Sequence, residues 1–433
     1  MKQMIRMICI GSLLLIAQSG EGEDWTQLGH NTHHTYSSET FVSRHLEIKW
    51  QHQTTSYSES SPAVTEDRVY IFDRESLYCL VLSTGTLLYE VPAYSRCPST
   101  PTVVDGKVYL ARDRNHFQCL DALTGNVLWE KELPELHWVN PLVDDTKVYI
   151  TVDNSTYSGP MGLPFLDCLM FPFWRTLLAL DKETGEEIWR YSVPDDKPFT
   201  VSGAGFPILV YNNLVFHVNY YKDESFLAHE EKSYLTHIDA DTGVVIGKYE
   251  GVNPSAPTEL GSITPAWITY YRNKIFVSCK GRVMAVDMET QSLVWEYTLS
   301  EGEDALFSVG NGVVMASGDN WGYCLDAETG HELWKIPVRG SKMPVITGND
   351  VFIGSFDGTL YRVDIQSGEI VWSYHLGGTL FSPVVAEGCV LIENSENLVY
   401  CFGPFMSPFM AEILMVAVIL VIVLLLFLRS NIQ

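Results

Sequence analysis

The chain has 433 residues, of which 46% are hydrophobic and 19% charged, a composition typical of folded rather than disordered proteins. Its 28 Lys and Arg are outnumbered by 53 Asp and Glu, and the formal net charge of -25 excludes the broad basic surface that nucleic-acid binding requires. Such acidity is typical of a protein kept soluble at a crowded cell surface, and it also suits a basic partner.

Residues 1–19 have the pattern of a secretory signal peptide. Lys2 and Arg6 precede an apolar run over 7–16, and the small residues Ala17 and Ser19 follow it. A bilayer requires about 20 apolar residues, so this run is too short to span one. We therefore predict that the rest of the chain is exported.

A repeated pattern occupies most of the exported chain. A hydrophobic residue and Asp end one strand, Thr-Gly or Ser-Gly forms a turn, and a Trp follows, as in Asp121, Thr124, Gly125 and Trp129. Asp and Gly suit a tight turn, because the Asp side chain caps it and Gly adopts positive φ. The Trp position of the successive copies is occupied by Trp50, Tyr89, Trp129, Trp189, Gly247, Trp295, Trp334 and Trp372.

Each copy predicts four antiparallel strands, A to D. In the second copy, strands A and B are joined by Asp105-Gly106, a dipeptide typical of two-residue hairpins. Four such strands in about 40 residues form one blade of a β-propeller. Trp50 has no strands A to C before it, whereas 380–402 supplies three strands without a fourth. We therefore predict an all-β, eight-bladed β-propeller over 20–403, closed by its N-terminal strand so that no sheet edge is left exposed.

The repeats and the lead-in before them resemble the PQQ-like (quinoprotein-type) repeat family of β-propellers. The lead-in contains Trp25, His30-Asn31 and His34-Thr35, a sequence similar to the start of other family members. The family includes the propeller lipoprotein of outer-membrane assembly and the quinoprotein alcohol dehydrogenases. Because one fold supports several functions, the resemblance implies either a binding scaffold or a PQQ-dependent dehydrogenase.

The dehydrogenase alternative depends on a central cofactor site. The resemblance implies Ca²⁺ held by Glu, Asn and Asp, a Trp stacked on the quinone and, in many members, two adjacent Cys. This chain has no adjacent Cys and no segment that matches that site residue by residue. We therefore predict that it is not an enzyme and binds no cofactor. His30, His33 and His34 have no further Cys or His at zinc spacing, so no metal site is predicted either.

Three enlargements interrupt the regular spacing of the blades. Blades 3 and 4 contain about 20 extra residues each, at 154–175 and 220–233 between strands B and C, and 251–262 lengthens the D–A connection into blade 5. Antiparallel strands alternate in direction, so B–C and D–A connections lie on one face. Long loops on a rigid scaffold usually bind partners, and the candidate residues for a protein, peptide or glycan partner are Tyr157, Phe165, Phe171, Phe173, Trp174, Tyr220, Tyr221 and His229. Alternatively, the apolar insert 154–175 folds onto the blade edge as a lid.

Cysteine usage separates core from loop positions. One equivalent position of the repeat, where other copies have Ala, is occupied by Cys79, Cys119, Cys324 and Cys401. A site that accepts Ala or Cys is a tight slot, so we predict buried, inert thiols there. Cys97 and Cys168 lie in loops and form the candidate pair for a disulfide. Asn154 begins an Asn-Ser-Thr sequon and is a candidate N-glycosylation site.

The C-terminal segment predicts a membrane anchor. Residues 411–428 are apolar except for Glu412, a length that suits a transmembrane helix, and 404–410 form a linker. Arg429 follows this span, and the positive-inside rule assigns the tail 429–433 to the cytoplasm. We therefore predict a single-pass cell-membrane protein with an extracytoplasmic propeller that acts as a binding scaffold. The alternative is a sensor or receptor ectodomain that works with a membrane partner, because the tail is too short to signal alone.

Overall fold

Eight β-sheets form an eight-bladed β-propeller, of which seven have four antiparallel strands and one has a fifth, short strand. The computed structural model describes residues 23–56, 61–94, 100–134, 136, 139–153, 175–192, 209–222, 231–250, 265–279, 281–290, 292–300, 305–340 and 342–404. Within each sheet the strands lie in the order A-B-C-D, and strands A of successive blades contact one another around the centre. The predicted all-β class and the number of blades are confirmed.

Each of the first four blades has strands A to D in chain order. Blade 1 contains β3 (Ala63–Thr65), β4 (Arg68–Phe72), β5 (Ser76–Val81) and β6 (Leu87–Pro92). Blade 2 contains β7 (Thr102–Val104), β8 (Lys107–Ala111), β9 (His116–Asp121) and β10 (Val127–Glu132). Blade 3 contains β11 (Leu142–Val143), β12 (Lys147–Asp153), β13 (Arg175–Asp181) and β14 (Glu187–Ser192). Blade 4 contains β15 (Leu209–Tyr211), β16 (Leu214–Lys222), β17 (Glu231–Asp239) and β18 (Val245–Glu250).

The last four blades include the closure of the ring. Blade 5 contains β19 (Pro265–Tyr271), β20 (Lys274–Cys279), β21 (Arg282–Asp287) and β22 (Leu293–Thr298). Blade 6 contains β23 (Leu306–Gly310), β24 (Val313–Ser317), β25 (Trp321–Asp326) and β26 (Glu332–Pro337). Blade 7 contains β27 (Val345–Thr347), β28 (Asp350–Gly354), β29 (Thr359–Asp364) and β30 (Ile370–His375), and the short β1 (Ser37–Ser38) pairs parallel to β27. Blade 8 contains β31 (Val384–Ala386), β32 (Cys389–Glu393), β33 (Leu398–Pro404) and β2 (Leu46–Gln53).

The two ends of the propeller meet in blade 8, as the sequence predicts. Strand β2 pairs antiparallel with β33, and Trp50 lies opposite Cys401 while Gln51 lies opposite Tyr400. The outermost strand of this blade therefore comes from the start of the chain and the other three from its end. This pairing gives β33 the partner that it would otherwise lack at an open sheet edge.

The repeated turn between strands C and D has the predicted geometry. In blade 2, Asp121 Oδ1 accepts hydrogen bonds from the Thr124 backbone N at 2.8 Å and from its hydroxyl at 2.6 Å. These hydrogen bonds, the one from the Thr124 hydroxyl first, lower the pKa of Asp121. Gly125 has φ of 73°, a conformation that side-chain-bearing residues rarely adopt. A β-bulge between Val127 and Trp129 then turns the Trp toward the next blade.

The core lies between the blades, because each sheet is covered on both faces by its neighbours. Strands B and C are consequently buried along most of their length, as in Val108, Tyr109 and Leu110 of β8, whereas strands D alternate between exposed and covered positions. The predicted core thiols Cys79, Cys119, Cys324 and Cys401 are fully buried. Cys97 and Cys168 lie outside the described residues.

Neighbouring blades are joined by a contact that the repeat encodes. The aromatic ring on strand D packs on the turn glycine of the next blade and donates a hydrogen bond to a carbonyl in the same turn. Trp50 Nε1 donates to the Leu82 carbonyl at 2.6 Å, and Trp189 Nε1 donates to the Ala240 carbonyl at 2.8 Å. The same contact is made by Tyr89, Trp129, Trp295 and Trp334. These six aromatic side chains therefore link neighbouring blades.

Two junctions depart from this arrangement. Blade 4 has Gly247 where the aromatic ring would stand, and blade 5 has Gln291 at the place of the turn glycine. At the other junction, blade 8 has no C–D turn because the chain enters strand D from its N-terminus. Trp372 of blade 7 packs edge-on against Phe402 instead, with ring centroids 5.5 Å apart.

The segments predicted at the two ends of the chain lie outside the residues that the structure describes. Among the residues described between 23 and 404, no helix is long and apolar enough to cross a bilayer. The proposed signal peptide 1–19, the proposed span 411–428 and the short tail 429–433 fall outside that range. Their assignment therefore stays a prediction from the sequence.

Candidate functional site

The strands of blades 3 and 4 are longer than their counterparts at the end where strands B and C meet. Strand β12 has 7 residues and β16 has 9, whereas strand B of blade 2 has 5. The extra pairs of blade 4 continue to Lys222 opposite Glu231. The paired strands B and C of these two blades consequently extend further than those of blade 2 on one face of the propeller. We call this the loop face and define it as the side of the B–C and D–A connections.

This geometry revises the expected form of the insertion in blade 4. The sequence placed 220–233 in a connection, but Tyr220 pairs with Ser233 and Tyr221 with Lys232 inside the β16–β17 ladder. Both positions therefore belong to strand β16 of an extended β-ladder. Of the other candidate binding residues, the structure describes none of Tyr157, Phe165, Phe171, Phe173, Trp174 and His229, nor the candidate glycosylation site Asn154.

The channel at the centre of the propeller contains a feature that the sequence did not predict. Residues 23–40, which we call the collar, run around the inside of the ring and accept a backbone N–H from strand A, or from the residue just after it, in every blade. The carbonyl of Trp25 accepts from Val64 of blade 1 at 2.8 Å, and that of Thr26 accepts from Val103 of blade 2 at 2.6 Å. The donors of the next six blades are Val143, Val210, Tyr270, Val309, Ile346 and Glu387.

The collar is closed on itself by Glu23, whose backbone N donates to Thr40 Oγ1 at 2.9 Å and whose carboxylate makes two further contacts. Glu23 Oε2 accepts hydrogen bonds from the Ser38 hydroxyl at 3.0 Å and from the Glu39 backbone N at 2.8 Å, which joins the start of the collar to its end. Glu23 also lies 3.5 Å from the His30 ring. The strand residues that donate to the collar lie at the last or next-to-last position of strand A, or just after it in blade 8. The collar therefore lies at the end of the A–B turns, opposite the loop face.

The three histidines of the lead-in point in different directions. His30 packs on Trp25 with ring centroids 5.0 Å apart, His33 packs on Tyr270, and His34 stacks on Trp267. Burial lowers the pKa of all three, and burial together with the smaller effect of His33 lowers the pKa of His34 to about 3. No group of three or more His, Cys, Asp or Glu suited to a metal occurs in the described part of the chain.

The described channel does not fit the cofactor site of the dehydrogenases. A quinone site needs an indole face on which the cofactor can stack, but the imidazole of the collar residue His34 lies 5.6 Å from the Trp267 ring at an interplanar angle of 28°. The other channel indole, Trp25, is in contact with His30 and Tyr36. Among the described residues, both channel indoles are thus already packed against side chains of the collar, and we derive no reaction from this site.

The fold and the collar define a closed propeller whose blades are joined by aromatic side chains and whose centre is lined by its own N-terminal segment. A family model described as outer membrane protein assembly factor BamB matches residues 25–154, 174–374 and 280–402. The chain therefore belongs to this family of PQQ-like propellers. Comparison with curated proteins by sequence gives no significant match.

Solved structures share the fold at low sequence identity. BamB from Moraxella catarrhalis is 17% identical and aligns with a TM-score of 0.62 over 83% of this chain and 100% of its own. A europium-containing methanol dehydrogenase is 14% identical, with a TM-score of 0.66 over 90% of this chain and 100% of its own. The quinohemoprotein alcohol dehydrogenase from Comamonas testosteroni is 15% identical, with a TM-score of 0.65 over 91% of this chain and 83% of its own. At these identities the likeness establishes the fold and leaves the function open between a binding propeller and an enzyme.

Proposed function

We propose that this protein is a membrane-anchored, extracytoplasmic propeller that binds a protein partner through its loop face and has no catalytic activity. The observation that carries this proposal is the extension of the β16–β17 hairpin of blade 4 beyond the neighbouring blades, beside the start of the 154–175 insert at the end of β12. Residues already paired in a ladder lose less conformational entropy on binding than a free loop, which favours recognition. Membership of a family named for an assembly factor supports a protein partner in general.

The anchor and the orientation form the second part of the proposal. The apolar segments 7–16 and 411–428 support export followed by retention in the membrane. Strand β33 ends at Pro404 on the face opposite the loop face, so a span that starts soon after it would direct the loop face away from the bilayer. Protease added outside intact cells should cleave the propeller but spare a tag placed after Gln433. Cleavage of that tag, or protection of the propeller, would refute the orientation.

Deletion of residues 155–174 from the full-length protein tests the binding site. The deletion should leave a folded propeller, since β12 and β13 already pair up to Asp153 and Arg175, and it should abolish co-purification of the partner. A finer test replaces Phe165, Phe171 and Phe173 by Ser. Its matched control is Phe356→Ser, which removes an exposed aromatic side chain from blade 7. Unchanged partner recovery after both loop changes would contradict the proposal.

A dehydrogenase is the second candidate, because two of the similar structures are alcohol-oxidising enzymes. The quinone would supply the redox chemistry in that case, and the protein would have to bind it in the channel. Adding PQQ and Ca²⁺ to the purified protein and recording the quinone absorbance distinguishes the two functions. We expect no shift, because the channel indoles are packed against the collar. A saturable shift accompanied by alcohol-dependent dye reduction would establish the enzyme instead.

A further inference from the structure

A large pocket opens on the face opposite the loop face. It has a volume of 1140 Å³, above the range of about 300–1000 Å³ that is typical of small-molecule sites. One wall is the first half of the collar, and the other is formed by the A–B turns of blades 1 to 4 together with C–D turns of blades 2 and 4. The pocket is thus distinct from the loop face and is large enough for a segment of polypeptide.

The charge of this pocket is strongly asymmetric. The cationic side chains of its lining are Arg68 and Lys147, and its carboxylates are Asp24, Glu66, Asp105, Asp144, Asp145 and Asp241. Hydrogen bonds from Lys182 and from Lys147 lower the pKa of Asp105 and of Asp241, respectively, so both carboxylates remain ionised. A concave surface of one sign concentrates the electric field and attracts counter-charged ligands.

Several of the pocket's polar groups have no ion-pair partner. Glu66 and Asp145 make no ion pair within the described ranges, and both are exposed to the pocket. On the collar side, Gln27 is only 4% exposed, and its Oε1 accepts the Val143 backbone N–H at 3.2 Å. The Gln27 amide nitrogen has no hydrogen-bond partner among the described residues and lines the pocket. This amide can donate a hydrogen bond to an acceptor in the pocket, such as a peptide carbonyl.

The cation that begins strand B is paired with a carboxylate of the next blade in blades 2, 3 and 5, but not in the described structure of blade 1. Lys107, Lys147 and Lys274 begin strand B of their blades, and each pairs with a carboxylate in the C–D turn of the following blade: Glu183, Asp241 and Glu328. Arg68 begins strand B of blade 1, but the corresponding turn residue of blade 2 is Leu123, which is 61% exposed. Arg68 therefore forms no ion pair in the described structure, and an apolar side chain is exposed beside it. This end of the pocket offers hydrogen-bond donors and an apolar contact in addition to the carboxylates.

We propose that this pocket binds an extended, lysine- or arginine-bearing peptide segment of a protein partner. The cationic side chains of the segment meet Glu66 and Asp145, and its backbone carbonyls accept hydrogen bonds from Gln27 and Arg68. Leu123 covers an apolar part of the same segment. This inference is independent of the loop face, so each site can be lost without the other.

The test measures binding of a fluorescein-labelled (Lys-Gly)5 peptide to the purified full-length protein by fluorescence anisotropy, with (Glu-Gly)5 as the reference peptide. We expect saturable binding of the basic peptide alone, weakened at 0.5 M salt because exposed charges are then screened. The double variant Glu66→Gln/Asp145→Asn should weaken binding about tenfold, as expected when two charge contacts are lost.

A matched control removes two carboxylate charges from C–D turns on the same face of the propeller. Glu289→Gln/Glu369→Gln changes two exposed turn carboxylates of blades 5 and 7 that do not line the pocket, and it should alter the affinity less than twofold. Equal weakening by both double variants would show attraction to the net charge and overturn the pocket. Failure of (Lys-Gly)5 to bind better than (Glu-Gly)5, or full competition by millimolar Ca²⁺ or spermine at constant ionic strength, would also overturn a peptide site.

Discussion

The indole of Trp295 in blade 5 lies directly over Gly330 in blade 6, and its Nε1 donates a hydrogen bond to the Ala327 carbonyl at 3.0 Å. A Cβ atom added to Gly330 would stand 2.5 Å from the ring, closer than any real contact allows. The repeat thus encodes an inter-blade contact in two residues of different blades. Because this contact recurs around the ring, it explains how eight similar sheets hold together with few connections between them.

The substitution Gly330→Ala should destabilise the protein by about 2–4 kcal/mol. Part of this loss is the strain of a side chain at positive φ, about 1 kcal/mol, and the rest is the displacement of the indole. The matched control is Gly312→Ala in the same blade, where φ is 79° and nothing lies within 4 Å of an added Cβ. Gly312→Ala should lower the free energy of unfolding only by the strain of a side chain at positive φ, about 1 kcal/mol. Urea unfolding curves that shift equally for both variants would contradict the proposed contact.

Removal of the Arg362 guanidinium should destabilise the closure of the ring. This buried side chain donates hydrogen bonds to Asp350 at 2.6 Å and to the carbonyls of Val42 and Ser43, just before β2. Arg362→Met leaves the carboxylate and two carbonyls without their partner, a loss of about 3–5 kcal/mol. The double variant Arg362→Met/Asp350→Asn should recover part of the lost stability, which a thermal unfolding measurement would show. A double variant as unstable as the sum of both single variants would show that the pair is not coupled.

Local signals explain which parts of the fold could be predicted. The Asp121, Thr124 and Gly125 turn and the bulge before Trp129 depend on residues adjacent in sequence, so each copy predicts its own strands. The closure by β2 followed from counting strands, since Trp50 and the last three strands complete one blade. In physical terms, the number of blades is set by the local repeat and by the need to pair every edge.

The collar could not be predicted because its contacts to the eight blades are made by backbone atoms, except for the Gln27 side chain that accepts from blade 3. Trp25 and Thr26 accept from strands that are far away in the sequence, and no periodic pattern accompanies such contacts. The local signals were Gly29 and Asn31, whose side chain shapes the turn at His33 and Thr35. Among the candidate binding residues, the sequence placed Tyr220 and Tyr221 in a loop because extra length does not reveal whether an insertion extends a hairpin.

Acidification should destabilise the protein partly through His34. The pKa of this buried imidazole is lowered from 6.5 to about 3, chiefly by burial, so below pH 6.5 the unfolded chain takes up a proton that the folded protein does not. Stability therefore falls as the pH drops through this window, by up to about 1.4 kcal/mol per pH unit for one such group. His34→Asn should flatten the dependence of the unfolding free energy on pH between 6.5 and 4.5. The exposed-turn control His331→Asn should retain the wild-type slope, and equal slopes for all three proteins would contradict the assignment.

Loss of the Glu23 carboxylate should loosen the end of the collar, where only the hydrogen bond from the Glu23 backbone N to Thr40 then remains. Glu23→Ala removes the acceptor of the Ser38 hydroxyl and the Glu39 backbone N–H, contacts worth about 1–3 kcal/mol when the acceptor is charged. Amide hydrogen exchange over 36–40 should become roughly tenfold faster or more, while exchange in β8 and β9 stays unchanged. Glu39→Ala, which removes an exposed carboxylate next to the same site, is the control. Wild-type exchange in the Glu23 variant would show that the collar does not depend on this contact.

Site-directed photo-crosslinking in cells detects a protein partner on the loop face. A photoreactive amino acid at position 222, where β16 ends on the extended hairpin, is compared with one at position 349, in the A–B turn of blade 7 on the opposite face. We expect a defined crosslinked partner from position 222 that disappears on deletion of 155–174 and is not obtained from position 349. The same partner captured from position 349 and not from 222 would contradict it.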